Sequence, residues 1–147
     1  MIQLYLGDGK GKTSAAMGAV LRCIGQGGRA GVFQFLKSGE SGEVGILKTL
    51  KNVDYFNDIE ITGFYHTLTE SEKNTVSEKV IAQLKKVSNA LSSAKYNLIV
   101  LDEVIDLIDL NIISEEFLVK LLSNSGNTEL ILTGHKPYDK IIDISDY

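Results

Sequence analysis

A chain of 147 residues, 44% apolar and 23% charged, is long enough for one core and too apolar for disorder. Fifteen Lys and Arg against nineteen Asp and Glu leave a net charge of −4, without the basic excess that nucleic acid or an anionic membrane attracts. Cys23 stands alone, which excludes an intramolecular disulfide framework and a Cys-rich zinc site, and no apolar run approaches the ~18 residues of a membrane span.

Ile2 to Leu6 reads as a strand, followed by the glycine-rich turn Gly7-Asp8-Gly9-Lys10-Gly11. A helical pattern runs from Lys12 to about Ile24, with Ala16, Val20 and Ile24 on one face and Gly25, Gly27 and Gly28 as its stop. Ala30 to Leu36 is a second strand, mostly apolar on both faces; Gly39 to Gly42 reads as a loop and Glu43 to Leu50 as a short helix. Strand-like pieces follow at Val53–Phe56 and Ile59–Thr62. Thr69 and Glu72 have capping-box spacing and open a long helix reaching about Ser92, with Val76, Val80, Leu84, Val87 and Leu91 as its buried stripe. Asn97 to Leu101 is a strongly apolar strand ending at Asp102-Glu103. Ser114 caps a helix that turns Phe117, Leu118, Leu121 and Leu122 inward, and Glu129 to Leu132 is a last strand before Thr133-Gly134 and a short terminal helix. Strands alternating with helices, and apolar on both faces, predict an α/β fold with a mostly parallel sheet covered on both sides. No repeat, low-complexity tract or linker divides residues 1–147, so one domain is expected.

Two segments carry chemistry. Gly7-Asp8-Gly9-Lys10-Gly11-Lys12-Thr13-Ser14 lies directly after a strand and directly before a helix, where a phosphate loop belongs. Glycines let backbone N–H groups converge on phosphate oxygens, the helix N-terminus adds positive potential, Lys12 adds a full charge, and the Thr13 hydroxyl can ligate magnesium. The common G-x-x-x-x-G-K-[ST] spacing would need glycine at Leu6; the loop here is one residue tighter, G-x-x-x-G-K-T. The alternative is a turn that only joins strand to helix. Leu98 to Glu103 delivers Asp102 and Glu103 to the C-terminal edge of a sheet, where open α/β folds bind ligands. Alone, such acids often cap the next helix; beside a phosphate loop they suit a Mg²⁺-nucleotide site. The combination predicts a P-loop NTPase-like (RecA-like) sheet with Lys12 and Asp102 at the same edge.

Other residues are weaker candidates. Cys23 reads as a small core residue. Lys37 suits either a phosphate or a solvated strand end. His66 and His135 are isolated in sequence and make a poor metal pair. Phe64, Tyr65 and His66 suit either a pocket for a flat ligand or ordinary packing.

Taken together, these residues resemble the ATP:corrinoid adenosyltransferases of the cobalamin biosynthesis type. Gly7 to Ala16 looks like the family's G-[ND]-G-K-G-K-T-T-A-A loop, shortened spacing included, and Gly31 to Lys37 looks like its V-x-Q-F-I-K strand. Gly42-Glu43 resembles the Gly-Glu that follows, Thr62-Gly63-Phe64 the T-G-F-x-W segment, Leu101-Asp102-Glu103 the L-D-E strand end, and Leu132 to His135 the I-T-G-R turn. His66 stands in place of the tryptophan and His135 in place of the arginine. The family also continues beyond the position of Tyr147, so a C-terminally shortened member is expected.

The resemblance implies transfer of the 5′-deoxyadenosyl group of MgATP to Co(I) of a corrinoid substrate, with release of triphosphate. It implies ATP phosphates on Gly7, Asp8, Gly9, Lys10, Gly11, Lys12, Thr13 and Ser14, and Mg²⁺ at Thr13, Asp102 and Glu103. Catalytic work falls to Lys12, Thr13, Asp102 and Glu103, and the corrinoid side to Lys37, Phe64 and His66. In the family the aromatic segment helps strip the lower cobalt ligand, and the nucleotide lies reversed relative to ordinary P-loop enzymes. Candidate partners are a flavoprotein reductant and a second copy of the chain, with neither nucleic acid nor membrane. The N-terminus lacks a charged n-region before an apolar core, so a cytoplasmic protein is expected. Two rivals stay open: a P-loop kinase or ATPase that leaves ADP, and a non-catalytic ATP- or corrinoid-binding relative.

Overall fold

A computed structural model of the chain describes residues 1–37, 41–59, 61 and 63–147. Five strands form one sheet: β1 (Ile2–Leu6), β2 (Ala30–Gln34), β3 (Val53–Phe56), β4 (Leu98–Asp102) and β5 (Glu129–Gly134). Every pairing is parallel, in the order β1-β5-β4-β2-β3. The helices are α1 (Lys12–Gly25), α2 (Gly42–Leu47), α3 (Glu70–Ser92), α4 (Asp106–Asp109), α5 (Glu115–Leu122) and α6 (Asp139–Asp143). None is long and apolar enough to cross a membrane, among the described residues.

The period-2 alternation of the strands sorts their side chains onto two faces. Leu98, Val100, Val32 and Ile131 pack with Ala16, Met17 and Val20 of α1. Ile99, Leu101, Phe33, Leu130 and Leu132 pack with Val80, Leu84 and Val87 of α3 and with Leu118 and Leu122 of α5. All five residues of β2 and of β4 are buried, which explains why both strands read as continuous apolar runs. The α3 capping box forms as its spacing predicts, with Glu72 N–H donating to Thr69 Oγ1 and Thr69 N–H donating to the Glu72 carboxylate.

Several expectations change. Of the expected strand Ile59–Thr62, the described residues Ile59 and Ile61 lie outside any strand, yet both are buried in the core after β3. Glu60 and Thr62 fall outside the described residues, as do Gly39 and Glu40 of the expected loop. Phe117 is 42% exposed rather than inward, because α5 buries the stripe Leu118, Leu121 and Leu122. Cys23 is only half-buried, beside the Arg29 carbonyl. The one-turn helix α4 has no sequence signal of its own. The outer edge of β1 is covered by the last two residues: Leu4 N–H donates to the Tyr147 carbonyl and Asp146 N–H to that of Ile2.

Candidate active site

In a parallel sheet all strand C-termini share one edge, and the register here sets four of them in a row. Leu6 pairs with Gly134, Leu101 with Leu132, and Gln34 with Asp102. The glycine-rich loop, the Asp102-Glu103 turn and the β5 end therefore meet. Gly134 is required by this closeness, since a Cβ there would lie 2.4 Å from Ile105 Cβ.

The loop leaves β1 through Gly7 (φ +126°) and enters α1 through Gly11 (φ +108°), backbone angles that side chains disfavour. Asp8, Gly9, Lys10, Gly11 and Ser14 are exposed, whereas Gly7, Lys12 and Thr13 are half-buried. Lys12 Nζ folds over the loop and donates to the carbonyls of Gly7 and Gly9, the latter at 2.9 Å. The three longer helices differ at their starts. α3 and α5 are closed by Thr69 and Ser114, while α1 has neither a side-chain cap nor an acid in its first turn. Its N–H groups and dipole thus face the loop with no acid of the helix's own first turn against them.

Asp102 is the hub. Its side chain is 0% exposed, and it accepts from Thr13 Oγ1 (3.0 Å), Thr133 Oγ1 (2.8 Å) and Gln34 Nε2 (3.0 Å), with Lys37 Nζ at 3.1 Å. Lys37 also donates to Thr13 Oγ1 at 2.5 Å. Gln34 is itself held, its Oε1 accepting from Tyr55 OH and its backbone carbonyl from Gln83 Nε2. A buried carboxylate needs such saturation, since an unpaired one costs several kcal/mol.

Glu103 follows with φ +62°, a strained angle for a residue with a side chain. Its N–H donates to Thr133 Oγ1 at 2.7 Å, which holds the turn in that shape. Burial, with the Asp102 and Asp106 charges, raises its carboxyl above the ordinary range, and Lys37 and His135 partly offset this. Beyond it, Asp106 takes both His135 N–H and His135 Nδ1, each at 2.8 Å, so the imidazole replacing the family's arginine is fixed on a carboxylate. Among the described residues neither serine nor cysteine reaches that imidazole.

Lys37 contacts Thr13 and Asp102, not the aromatic segment with which the sequence grouped it. Phe64 is 74% exposed and stacks on His66 with ring centroids 5.6 Å apart, and among the described residues no hydrogen bond or ring contact ties either to the Asp102 cluster. Gln34, Thr133, Asp106 and Tyr55 belong to the site region but were not singled out. For Gln34 and Thr133 a signal existed: each is a polar residue inside an otherwise apolar strand. A cavity of about 520 Å³ beside α1, lined by Arg22, Gln26, Asn97 and Glu129, lies at the strand starts, the opposite edge from this chemistry. We attach the site to the converging charged groups rather than to that volume.

Thr13 and Asp102 offer a hydroxyl and a carboxylate at the loop, with Glu103 adjoining. No group of three or more His, Cys, Asp or Glu can hold a metal among the described residues. That donor set fits Mg²⁺, which takes one or two carboxylates and completes its shell with phosphate and water.

The family model for ATP:corrinoid adenosyltransferase BtuR/CobO/CobP matches residues 1–147. The corrinoid adenosyltransferase CobA of Salmonella typhimurium is 30% identical over 99% of this chain and 73% of its own length. The corrinoid adenosyltransferase of Escherichia coli K12 is 28% identical over the same shares. A Nostoc protein without assigned function is 32% identical over 99% of this chain and 42% of its own. With the family model matching residues 1–147 and CobA 30% identical over 99% of the chain, the chain belongs to the ATP:corrinoid adenosyltransferase family.

Proposed function

We propose that this chain transfers the 5′-deoxyadenosyl group of ATP to a reduced corrinoid. Reduced Co(I) is the nucleophile: the Co–C5′ bond forms, the C5′–O bond breaks, and the electron pair leaves with intact triphosphate. The protein then needs no nucleophile or general base of its own, and its task is orientation and charge neutralisation. The observation that carries this reading is the convergence of Lys12, Thr13 and Asp102 at one sheet edge, in a member of this family, with the nearby His135 imidazole held by Asp106.

Within this reading Lys12 and the α1 N-terminus bind the triphosphate along Gly7, Asp8, Gly9, Lys10, Gly11, Thr13 and Ser14. Thr13 and Asp102, with Glu103 beside them, would hold Mg²⁺, which would supply charge neutralisation to the triphosphate. Phe64 and His66 form the corrinoid wall, where the apolar Phe64 ring excludes water from cobalt.

The test is anaerobic incubation with ATP, Mg²⁺ and chemically reduced cobalamin. Adenosylcobalamin and triphosphate are expected; ADP would reassign the protein to phosphoryl transfer, and ATP binding without either product would make it a binding relative. Lys12→Ala should weaken MgATP binding at least about tenfold while the protein stays folded, since a charge-assisted contact is worth about 1.5–3 kcal/mol.

A further inference from the structure

We propose that Lys37 is a built-in competitor for the divalent cation: its ammonium holds the Thr13–Asp102 oxygens and must leave them for magnesium to bind, moving onto the polyphosphate of the incoming nucleotide. The inference rests on the reading of this edge as the ATP site. Lys37 Nζ lies 2.5 Å from Thr13 Oγ1 and 3.1 Å from Asp102 Oδ2. These are oxygens of the same hydroxyl–carboxylate pair that a Mg²⁺ ion would take. An ammonium and a divalent ion cannot share them, because Mg²⁺ demands oxygen ligands at about 2.0–2.1 Å and the two cations repel.

The other partners of Asp102 are fixed in place. Gln34 is clamped through Tyr55 and Gln83, and Thr133 sits in β5 while accepting from Glu103 N–H. Lys37 is the partner that can depart. It follows the end of β2 in irregular backbone, its side chain is 24% exposed, and its four-carbon stem can swing without moving the sheet. Asp102, at 0% exposure, keeps only neutral donors in Thr13, Gln34 and Thr133 once Lys37 leaves, so a second cation has to balance its charge. The lysine released by the metal finds the nearest dense negative charge on the polyphosphate. Metal and nucleotide thereby enter together, and Mg²⁺ alone binds poorly.

The experiment compares wild type with Lys37→Met and Lys37→Arg, reading Mg²⁺ alone by thermal shift and MgATP by calorimetry. Lys37→Met should bind Mg²⁺ alone about tenfold more tightly, as when a competitor filling the site about nine-tenths of the time is removed. The same variant should bind MgATP more weakly, while Lys37→Arg keeps the weak response of wild type to Mg²⁺ alone. An equal Mg²⁺ response in wild type and Lys37→Met overturns the inference, as does tighter MgATP binding by Lys37→Met. A wild-type measurement covers a variant that fails to fold: saturating Mg²⁺ alone should speed acylation of Lys37 by an amine-reactive ester, read by mass spectrometry, and unchanged reactivity overturns the exchange. Wild type that does not bind MgATP overturns the ATP reading and the hand-over with it. Normal MgATP binding with no lysine–metal exchange overturns the lysine inference alone.

Discussion

Asp102 and Glu103 are neighbours with opposite stability roles. The four donors around Asp102 all point at acceptor oxygens, so an amide in its place must turn an N–H toward one of them. Asp102→Asn is therefore expected to cost about 1–3 kcal/mol, measured by urea unfolding, and to weaken Mg²⁺-dependent nucleotide binding. A variant as stable as wild type would show that the hub is not load-sharing. Glu103 carries the reverse sign. Burial, before the Asp102 charge, raises its carboxyl pKa above 4.5, so its contribution to folding is present below that pH and lost as pH rises through the folded value. Glu103→Gln, which resembles the protonated form, should raise Tm at pH 7 and keep no advantage below about pH 4. A Tm series across pH checks this, and an unchanged Tm at pH 7 would refute it.

At the scale of elements, the edge strand β3 is tied to its neighbours by charge. Asp54 accepts from Arg29 before β2 at 3.0 Å and from Tyr96 before β4 at 2.7 Å, with Lys95 at 2.9 Å. Burial would raise the Asp54 carboxyl, but hydrogen bonds from Tyr96, Lys95 and Arg29 outweigh it and hold the pKa at about 2. A lowered carboxyl stabilises the fold above its unfolded value, 3.8, and that stability disappears as pH falls towards about 2. Asp54→Asn should accordingly lower Tm at pH 7, with the gap to wild type closing between about pH 4 and pH 2. A constant gap across that window would place the effect in packing instead. The cluster lies at the strand starts, away from the Asp102 edge, so MgATP affinity should not change.

For the molecule as a whole, the Asp102 cluster is buried and saturated, whereas the Phe64–His66 stack is exposed. Phe64 at 74% exposure contributes little to folding, so Phe64→Ala should shift stability by less than about 0.5 kcal/mol. On the proposed function, its turnover with reduced cobalamin should nevertheless fall while ATP affinity holds, because the two substrates would meet different surfaces. His66→Trp should maintain or raise turnover by widening the apolar face. Activity of Phe64→Ala equal to wild type, on both cobalamin and cobinamide, would reduce the segment to surface packing.

Local patterns in the chain determined the elements and the chemistry-bearing motifs. The alternation of strands and helices, the α3 stripe and capping box, the glycine loop and the Asp-Glu strand end are all encoded within a few residues, through burial periodicity and backbone preference. They also sufficed to recognise the family. The tertiary structure decided what no local pattern holds. Ile59 and Ile61 look like a strand in sequence, yet neither is part of one; both side chains are buried, and Ile59 N–H donates to the Asn57 side chain instead of to a ladder. Phe117 faces outward because the three leucines of α5 already fill its contact with the sheet. Thr13 and Asp102 stand 89 residues apart, and Asp106 and His135 stand 29 apart. Lys37 reads equally well as a phosphate ligand or a solvated strand end until β2 and β4 pair in register and set Gln34 opposite Asp102. A side chain's partners depend on which strand ends the parallel register sets side by side, and that register is settled by packing both faces of the sheet at once.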